Sequence, residues 1–143
     1  MLVAHILNEK GRDVVSIRPE ATLQDAAAVL TRHRIGALIV RGESGTLLGI
    51  ISERDIVRAV AEHGQAALDL AVSTRMTADV AVCDESSTIA EIMETMTRYR
   101  FRHLPVIRDG KISGIISIGD VVKSRIDETL RETEALKEYI ATA

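Results

Sequence analysis

The sequence predicts a mixed α/β (α+β) fold in which two copies of one motif each form a small sheet with two helices, followed by a C-terminal helix. The first observation is an internal repeat. Gly49-Ile50-Ile51-Ser52 recurs 65 residues later as Gly114-Ile115-Ile116-Ser117, and Thr22 recurs 66 residues later as Thr88. The second observation is that strand-type and helix-type patterns alternate within each copy. Neither copy is large enough to bury its apolar faces alone, so the two copies are expected to pack together.

Each copy is predicted to open with a short strand, at residues 14–17 and 80–83, and to continue into a helix. Thr22 and Thr88 are the predicted N-caps, because each has an acidic residue three positions later, as in a capping box. The apolar residues of both helices fall at i, i+3, i+4 and i+7, which indicates one buried face. They are Leu23, Ala26, Ala27 and Leu30 in the first copy, and Ile89, Ile92, Met93 and Met96 in the second.

A β-hairpin is predicted next in each copy. Apolar runs of strand length at 37–40 and 103–107 are each followed by a second strand, at 46–51 and 111–116. Asp109-Gly110 is a strong hairpin-turn signal. The first copy has one more residue between its strands, and turns tolerate such length changes. A second helix is predicted to begin near Glu53 and near Gly119.

These patterns divide the chain into five segments. An N-terminal segment, 1–13, carries an apolar turn of Val3, Ile6 and Leu7 that is expected to dock on the body of the protein. The first repeat spans 14–61, a partly helical connector 62–79, and the second repeat 80–125. The last segment, 126–143, is predicted to be a charged helix with a thin apolar stripe.

The composition excludes several classes of protein. A net charge of −3 argues against a nucleic-acid partner. No apolar run approaches the about 18 residues of a membrane span, and the start lacks the pattern of a signal peptide. Cys83 is the only cysteine, so an intramolecular disulfide and a cysteine zinc cluster are both excluded. A reducing cytoplasm fits this composition, and we expect a cytoplasmic protein without a membrane partner.

No catalytic pattern is present in the sequence. There is no P-loop, no Cys/His pair and no Ser/His/Asp set at a plausible spacing. The four histidines, His5, His33, His63 and His103, are scattered and form no metal motif. The sequence therefore predicts a protein that is not an enzyme, with no catalytic residue, no metal site and no catalytic cofactor.

The most specific motif is Gly-Ile-Ile-Ser-x-x-Asp, which occurs at 49–55 and at 114–120. In both copies it lies where a strand is predicted to turn into a helix. Backbone N–H groups at a helix start attract anions, and an acidic residue there can accept from both hydroxyls of a ribose. A purely structural role is the alternative. Ser52 and Ser117 are good N-caps, and Asp55 and Asp120 favour the positive end of a helix.

The whole pattern resembles a tandem CBS-domain pair, also called a Bateman module. Both Gly-Ile-Ile-Ser-x-x-Asp blocks match the ribose-binding motif of that family, and residues 102–106, Arg-His-Leu-Pro-Val, match its usual strand before the hairpin. The resemblance covers residues 14–125, and the whole chain is similar to the stand-alone bacterial two-CBS proteins, which have no attached enzyme or transporter. It implies that a pseudo-twofold axis relates the two repeats and that two clefts lie between them.

The resemblance also implies the residues of each cleft. The carboxylate of one repeat would hold the ribose, and backbone groups of the other would contact the adenine edge. One cleft would combine Ile115, Ser117 and Asp120 with Val14, Ile35 and Gly36. The other would combine Ile50, Ser52 and Asp55 with Thr77, Val80, Phe101 and Arg102. Arg102 and His103 match phosphate-contacting positions, where the first repeat has Gly36 and Ala37. The two clefts are therefore expected to differ in phosphate affinity.

The function that this resemblance implies is that of an adenosine-nucleotide sensor, which changes its shape or its partner-binding surface when the ligand binds. AMP is the favoured ligand, followed by ADP or ATP and by NAD(H). S-adenosylmethionine ranks lower, because it offers no phosphate to the two basic residues. A homodimer is expected from the family, together with a downstream protein that the sequence does not name. The alternative is a ligand-free structural or protein-interaction module, against which the presence of both aspartates argues.

Overall fold

Helices and strands alternate along residues 1–142, which are the residues that this computed structural model describes. The helices are α1 (Val3–Lys10), α2 (Leu23–His33), α3 (Glu53–His63), α4 (Ile89–Tyr99) and α5 (Ile118–Thr142). The strands are β1 (Ser16–Ile17), β2 (Ala37–Arg41), β3 (Leu47–Ser52), β4 (Cys83–Asp84), β5 (His103–Arg108) and β6 (Lys111–Ser117). Two 3₁₀ turns, Gly64–Asp69 and Val72–Thr74, make the connector partly helical. The predicted mixed α/β fold is confirmed.

The two repeats form two small sheets with one topology. Each has three strands, ordered β1-β2-β3 and β4-β5-β6, with a parallel first pair and an antiparallel hairpin. Ala37 pairs with Ser52 in one hairpin, and His103 pairs with Ser117 in the other. The register shifts after Val40 and again after Val106. The same irregularity at matching positions shows that the duplication extends to the backbone.

The hairpin turns explain the difference in length between the repeats. Asp109 and Gly110 both have positive φ angles, of 52° and 76°, as a two-residue type I′ turn requires. This turn was predicted from the sequence and is confirmed. In the first repeat the strands β2 and β3 are joined by residues 42–46, where Gly45 has a φ of 78°. The extra residue is therefore accommodated in a loop.

One structural unit comprises Val14–Ala81. Its core is aliphatic and combines one face of α2, the inner side of the hairpin, α3 and the connector. The connector is held by backbone hydrogen bonds, since the N–H of Val72 donates to the carbonyl of Ala21 at 2.7 Å and that of Leu23 donates to Leu70 at 2.9 Å. The connector therefore packs in the same structural unit as the first repeat.

The other unit comprises Met1–Asp13 together with Val82–Ala143, of which residues 82–142 are described. The sequence predicted one docking apolar turn near the N-terminus, and the structure has a complete helix there. Val3 and Leu7 of α1 are fully buried. The N–H of Val3 donates to the carbonyl of Ser87 at 2.9 Å, and that of Ile89 donates to Met1 at 3.0 Å. The N-terminal segment therefore packs on the second repeat.

Helix α5 runs without a break from Ile118 to Thr142. The sequence patterns had separated a repeat helix from a C-terminal helix at residue 126. The structure joins them, because no proline or glycine follows Gly119 to interrupt the helical hydrogen bonds. Within residues 1–142 no helix combines the length and the hydropathy that crossing a membrane requires.

Candidate functional site

Both Gly-Ile-Ile-Ser-x-x-Asp blocks form the same junction between a strand and a helix. In the first repeat β3 ends at Ser52, and α3 begins at the next residue. The backbone N–H of Asp55 donates to Ser52 Oγ at 3.3 Å. In return, Asp55 Oδ2 accepts from the Ser52 N–H at 2.8 Å and from its hydroxyl at 3.0 Å. Ser52 and Asp55 are therefore a capping box, and the structural role that the sequence left open is real.

The second repeat builds the same junction. The Asp120 N–H donates to Ser117 Oγ at 3.1 Å, and the Ser117 N–H donates to Asp120 Oδ2 at 2.9 Å. In both repeats the hydrogen bonds of the capping box go to Oδ2 of the aspartate. Each capping box therefore holds its carboxylate in a fixed orientation, with Oδ1 outside the cap.

In the first repeat the backbone of Thr77 lies against the middle of β3. Ile50 and Thr77 exchange both backbone hydrogen bonds, at 3.0 and 2.8 Å. Gly49 makes this approach possible, since a Cβ atom there would lie 2.5 Å from the Thr77 carbonyl oxygen. The structure thus brings Ile50, Ser52, Asp55 and Thr77 into one region of one unit, as their assignment to a common site requires.

In the second repeat a lysine takes the corresponding place. Lys10 is the last residue of α1, and its Nζ lies 2.7 Å from Asp120 Oδ2 and 2.9 Å from the carbonyl oxygen of Ile115. Both groups belong to the predicted site. The side chains of Lys10 and Asp120 are 35% and 23% exposed. The ion pair is therefore at the surface but partly shielded from water.

The protonation equilibrium of Asp120 reflects this environment. Burial raises the pKa of Asp120, but hydrogen bonds from the Lys10 ammonium and the Ser117 N–H, with the charge of Lys10, outweigh burial. The net result is a pKa below the ordinary value of 3.8. Asp120 is therefore a carboxylate at neutral pH, and it can only accept hydrogen bonds.

The residues before β2 and β5 occupy matching positions beside the helix starts. The Gly36 carbonyl accepts from the Glu53 N–H at 3.0 Å, and the Arg102 carbonyl accepts from the Ile118 N–H at 2.8 Å. Within its unit, Gly36 lines an open groove beside Ile35, between α2 and α3. The segments 35–36 and 101–103 are therefore held against the capping boxes of their own units.

The remaining predicted residues are placed within their units as follows. The Phe101 ring stacks on Tyr99 with a centroid distance of 5.9 Å, and His103 pairs with Ser117 across the hairpin. Val14 and Val80 lie in irregular segments before β1 and β4. The two cleft assignments that combine residues of both repeats stay predictions.

A sequence model of the CBS domain matches the chain twice, at residues 3–62 and 69–127. The chain belongs to the CBS-domain family. The tandem CBS pair that the sequence predicted is therefore confirmed. The first CBS match begins with α1, which packs in the structural unit that contains the second hairpin. The second match begins in the connector, which packs in the unit that contains the first hairpin. The first segment of each match therefore folds with the other repeat.

Two relatives show how closely the chain follows known CBS proteins. It is 33% identical to a mitochondrial CBS-domain-containing protein of Arabidopsis thaliana, CBSX3, over 96% of this chain and 71% of that protein. It is 49% identical to a CBS-domain-containing protein of Agrobacterium tumefaciens whose crystal structure has been solved. That likeness has a TM-score of 0.85 and covers 87% of this chain and 92% of the solved chain.

A second similar structure holds ligands. The CBS-domain pair of the protein MJ0100 was crystallised in complex with 5′-methylthioadenosine and S-adenosyl-L-methionine. It is 26% identical to this chain with a TM-score of 0.79, and the match covers 90% of this chain and 98% of the other. Both of its ligands contain adenosine, which is the chemical group that the sequence predicted.

Sequence reasoning missed Lys10. The CBS resemblance was traced only from residue 14, so no position of α1 was considered for the site. A weak signal was available, because Asp13-Val14 matches Asp79-Val80. That match aligns the N-terminal segment with the end of the connector, which carries Thr77. Among residues 1–142 no cluster of three or more His, Cys, Asp or Glu side chains is arranged to hold a metal ion.

Proposed function

We propose that this CBS pair is a regulatory module that binds an adenosine-containing ligand through Asp55 and Asp120. The observation that carries the proposal is that two capping boxes of the same geometry hold both carboxylates in a fixed orientation, with Oδ1 outside the cap. The vicinal hydroxyls of a ribose are two adjacent donors, and a fixed carboxylate is a suitable acceptor for them. The adenosine ligands of the MJ0100 pair support the same ligand class.

AMP is the proposed ligand, with ADP or ATP and NAD(H) after it. The phosphate of these compounds needs positive charge in a chain whose net charge is −3. Arg102 and His103 at the start of β5 are candidates to supply it, as is Lys10 beside Asp120. S-adenosyl-L-methionine and 5′-methylthioadenosine belong in the same test, because the MJ0100 pair binds them without a phosphate.

Regulation would follow from a difference in ligand affinity between two arrangements of the protein. A ligand shifts such an equilibrium only by as much as its affinities for the two states differ. The family match accounts for residues 3–62 and 69–127 and contains no catalytic domain. We therefore propose that the output is a changed surface that another protein recognises, and not a chemical reaction.

A protein-interaction role is the second candidate, and helix α5 favours it. Its outer residues Ile126, Leu130, Leu136, Tyr139 and Ile140 are all more than half exposed. We propose that a second copy of the chain covers this stripe. Glu132 and Lys137 flank it, five residues apart, which suits charge pairing between two parallel helices. Light scattering of Leu130→Ser against the unsubstituted protein tests this dimer, since a stable dimer should become a monomer.

Thermal-shift measurements with AMP, ADP, ATP, NAD, NADH, S-adenosylmethionine and 5′-methylthioadenosine test the ligand proposal. A ligand at about 100 times its dissociation constant stabilises a protein by about 2.7 kcal/mol. Asp55→Asn and Asp120→Asn remove the charge but keep an oxygen that can accept the capping hydrogen bond.

Asp25→Asn is the matched control. Asp25 occupies the same capping position after Thr22, where its Oδ2 accepts from the Thr22 N–H at 3.0 Å. The control should lose a similar amount of stability and keep the full ligand shift. If no adenosine compound raises the melting temperature at millimolar concentration, the ligand proposal is wrong.

A further inference from the structure

The contact between Lys10 and the second-repeat carboxylate is fixed by the fold. The Lys10 ammonium bridges Asp120 Oδ2 and the Ile115 carbonyl, at 2.7 and 2.9 Å. Helix α1 cannot slide freely along the sheet, since Leu7 is fully buried and packs where Gly114 leaves no Cβ atom. The N–H of Ala4 also donates to the Glu85 carbonyl at 3.0 Å. Lys10 is thus delivered to this position by a packed helix.

The corresponding region of the first repeat is built differently. There Ile50 exchanges backbone hydrogen bonds with Thr77, at the place where Lys10 contacts the Ile115 carbonyl in the second repeat. The two motifs agree in sequence and capping geometry but differ in the segment that packs beside them. A ligand that uses Asp120 therefore meets an ammonium group already bound to that carboxylate.

The charge of the ligand determines how Lys10 affects the binding affinity at the Asp120 site. The hydroxyls of a ribose are neutral donors, and Lys10 occupies Oδ2 of Asp120. An uncharged nucleoside can use Oδ1, but it has no anionic group for the Lys10 ammonium to bind. A ligand with a 5′-phosphate supplies a second anionic partner, which the flexible lysine stem can reach while keeping a charge-assisted hydrogen bond. Lys10 then supplies a positive charge at the Asp120 site.

We propose that Lys10 is the residue that makes the Asp120 site select phosphorylated adenosine ligands over uncharged ones. This inference rests on the proposed adenosine function and adds the chemical class of ligand and the residue that selects it. The sequence analysis expected the two clefts to differ in phosphate affinity, and this inference names a residue that would strengthen it at the Asp120 site.

The experiment isolates the Asp120 site in an Asp55→Asn background and measures the affinities of AMP and adenosine by calorimetry. We expect AMP to bind more tightly than adenosine, and we expect Lys10→Met to reduce that ratio at least about tenfold, the loss of one charge-assisted hydrogen bond. Adenosine should bind Lys10→Met as tightly as before or more tightly. In an Asp120→Asn background, where the site is disabled, Lys10→Met should leave both affinities unchanged.

Lys123→Met is the matched control for removing one positive charge. Lys123 lines the same small cavity as Lys10 and Asp120, and within residues 1–142 it makes no ion pair. It should leave the ratio of affinities unchanged. Melting curves without ligand verify that each variant is folded.

Two results overturn the inference while leaving the function intact: an unchanged ratio in Lys10→Met, or an AMP affinity equal to that of adenosine in the Asp55→Asn protein. Absence of binding by every adenosine compound to the unsubstituted protein overturns the proposed function and this inference with it. The experiment therefore distinguishes failure of the Lys10 inference alone from failure of the proposed adenosine-binding function.

Discussion

The carbonyl oxygen of Thr77 lies 2.5 Å from the position that a Cβ atom on Gly49 would occupy. The backbone of the connector thus rests directly on β3 and pairs with Ile50. In the second repeat a Cβ atom on the matching glycine, Gly114, would lie 2.7 Å from Cδ2 of the Leu7 side chain. Both repeats need a glycine here, but the atoms that require it differ.

This difference predicts unequal costs for two identical substitutions. Gly49→Ala must displace a hydrogen-bonded backbone, which we expect to cost about 1–3 kcal/mol. Gly114→Ala meets the end of a leucine side chain, which can adjust its rotamer, and should cost less. Urea unfolding of both variants checks the order. Equal losses, or a larger loss for Gly114→Ala, would contradict this account of the packing.

Ser52 predicts a separation between stability and binding. Ser52→Ala removes the N-cap of α3 and should cost about 1 kcal/mol, whereas Ser52→Gly should cost only a few tenths, because glycine is tolerated at an N-cap. Both variants lack the hydroxyl, so both should weaken ligand binding equally if that hydroxyl contacts the ligand. Melting curves and calorimetry on the pair measure the two effects. If ligand affinity instead falls in Ser52→Ala and is kept in Ser52→Gly, in parallel with stability, Ser52 has a capping role alone.

The pair of Lys10 and Asp120 predicts a pH-dependent contribution to stability. The native pKa of Asp120 is lowered from 3.8, so the contribution is complete above that value and disappears as the pH falls through the native pKa. Lys10→Met should lower stability by less than about 1 kcal/mol at pH 7, because both side chains keep contact with water. The difference in melting temperature should stay constant down to about pH 5 and shrink below about pH 4. A difference that grows on acidification would have the wrong sign.

Cys83 is predicted to be a slowly reacting thiol. Burial, and secondarily the charge of Asp84, raise its pKa to about 12, and its Sγ donates to the Pro105 carbonyl at 3.7 Å. Only the thiolate is nucleophilic, so alkylation at pH 8 should be about 1,000 times slower in the folded protein than in denaturant. Rates with iodoacetamide in buffer and in guanidinium check this. Comparable rates would show that the thiol is accessible and ionised in the native state.

Most of the local structure was predictable from the sequence because short-range patterns determine it. The apolar stripe of α2, the capping boxes at Thr22 and Thr88, and the Asp109-Gly110 turn each depend on residues a few positions apart. Duplication strengthened each interpretation, since a feature that appeared in one copy was expected in the other. The tandem CBS resemblance followed from the same residues.

The asymmetry between the repeats was not predictable in this way. The contact of Lys10 with Asp120 joins residues 110 positions apart and exists only because α1 docks on the second repeat. The division of α5 at residue 126 has a different cause, because it followed the end of the repeat although no proline or glycine interrupts the helix there. The Lys10 contact depends on tertiary packing, so the sequence predicted the two similar motifs and the structure showed how they differ.

The most direct test of the central claim is a calorimetric titration of AMP into the unsubstituted protein and into the double variant Asp55→Asn/Asp120→Asn. The account predicts binding to the first and none to the second. The double variant Asp25→Asn/Glu91→Gln, altered at the two other capping boxes, should bind AMP as the unsubstituted protein does. If the Asp55→Asn/Asp120→Asn variant is folded and binds AMP with unchanged affinity, the two carboxylates do not hold the ligand and the central claim is wrong.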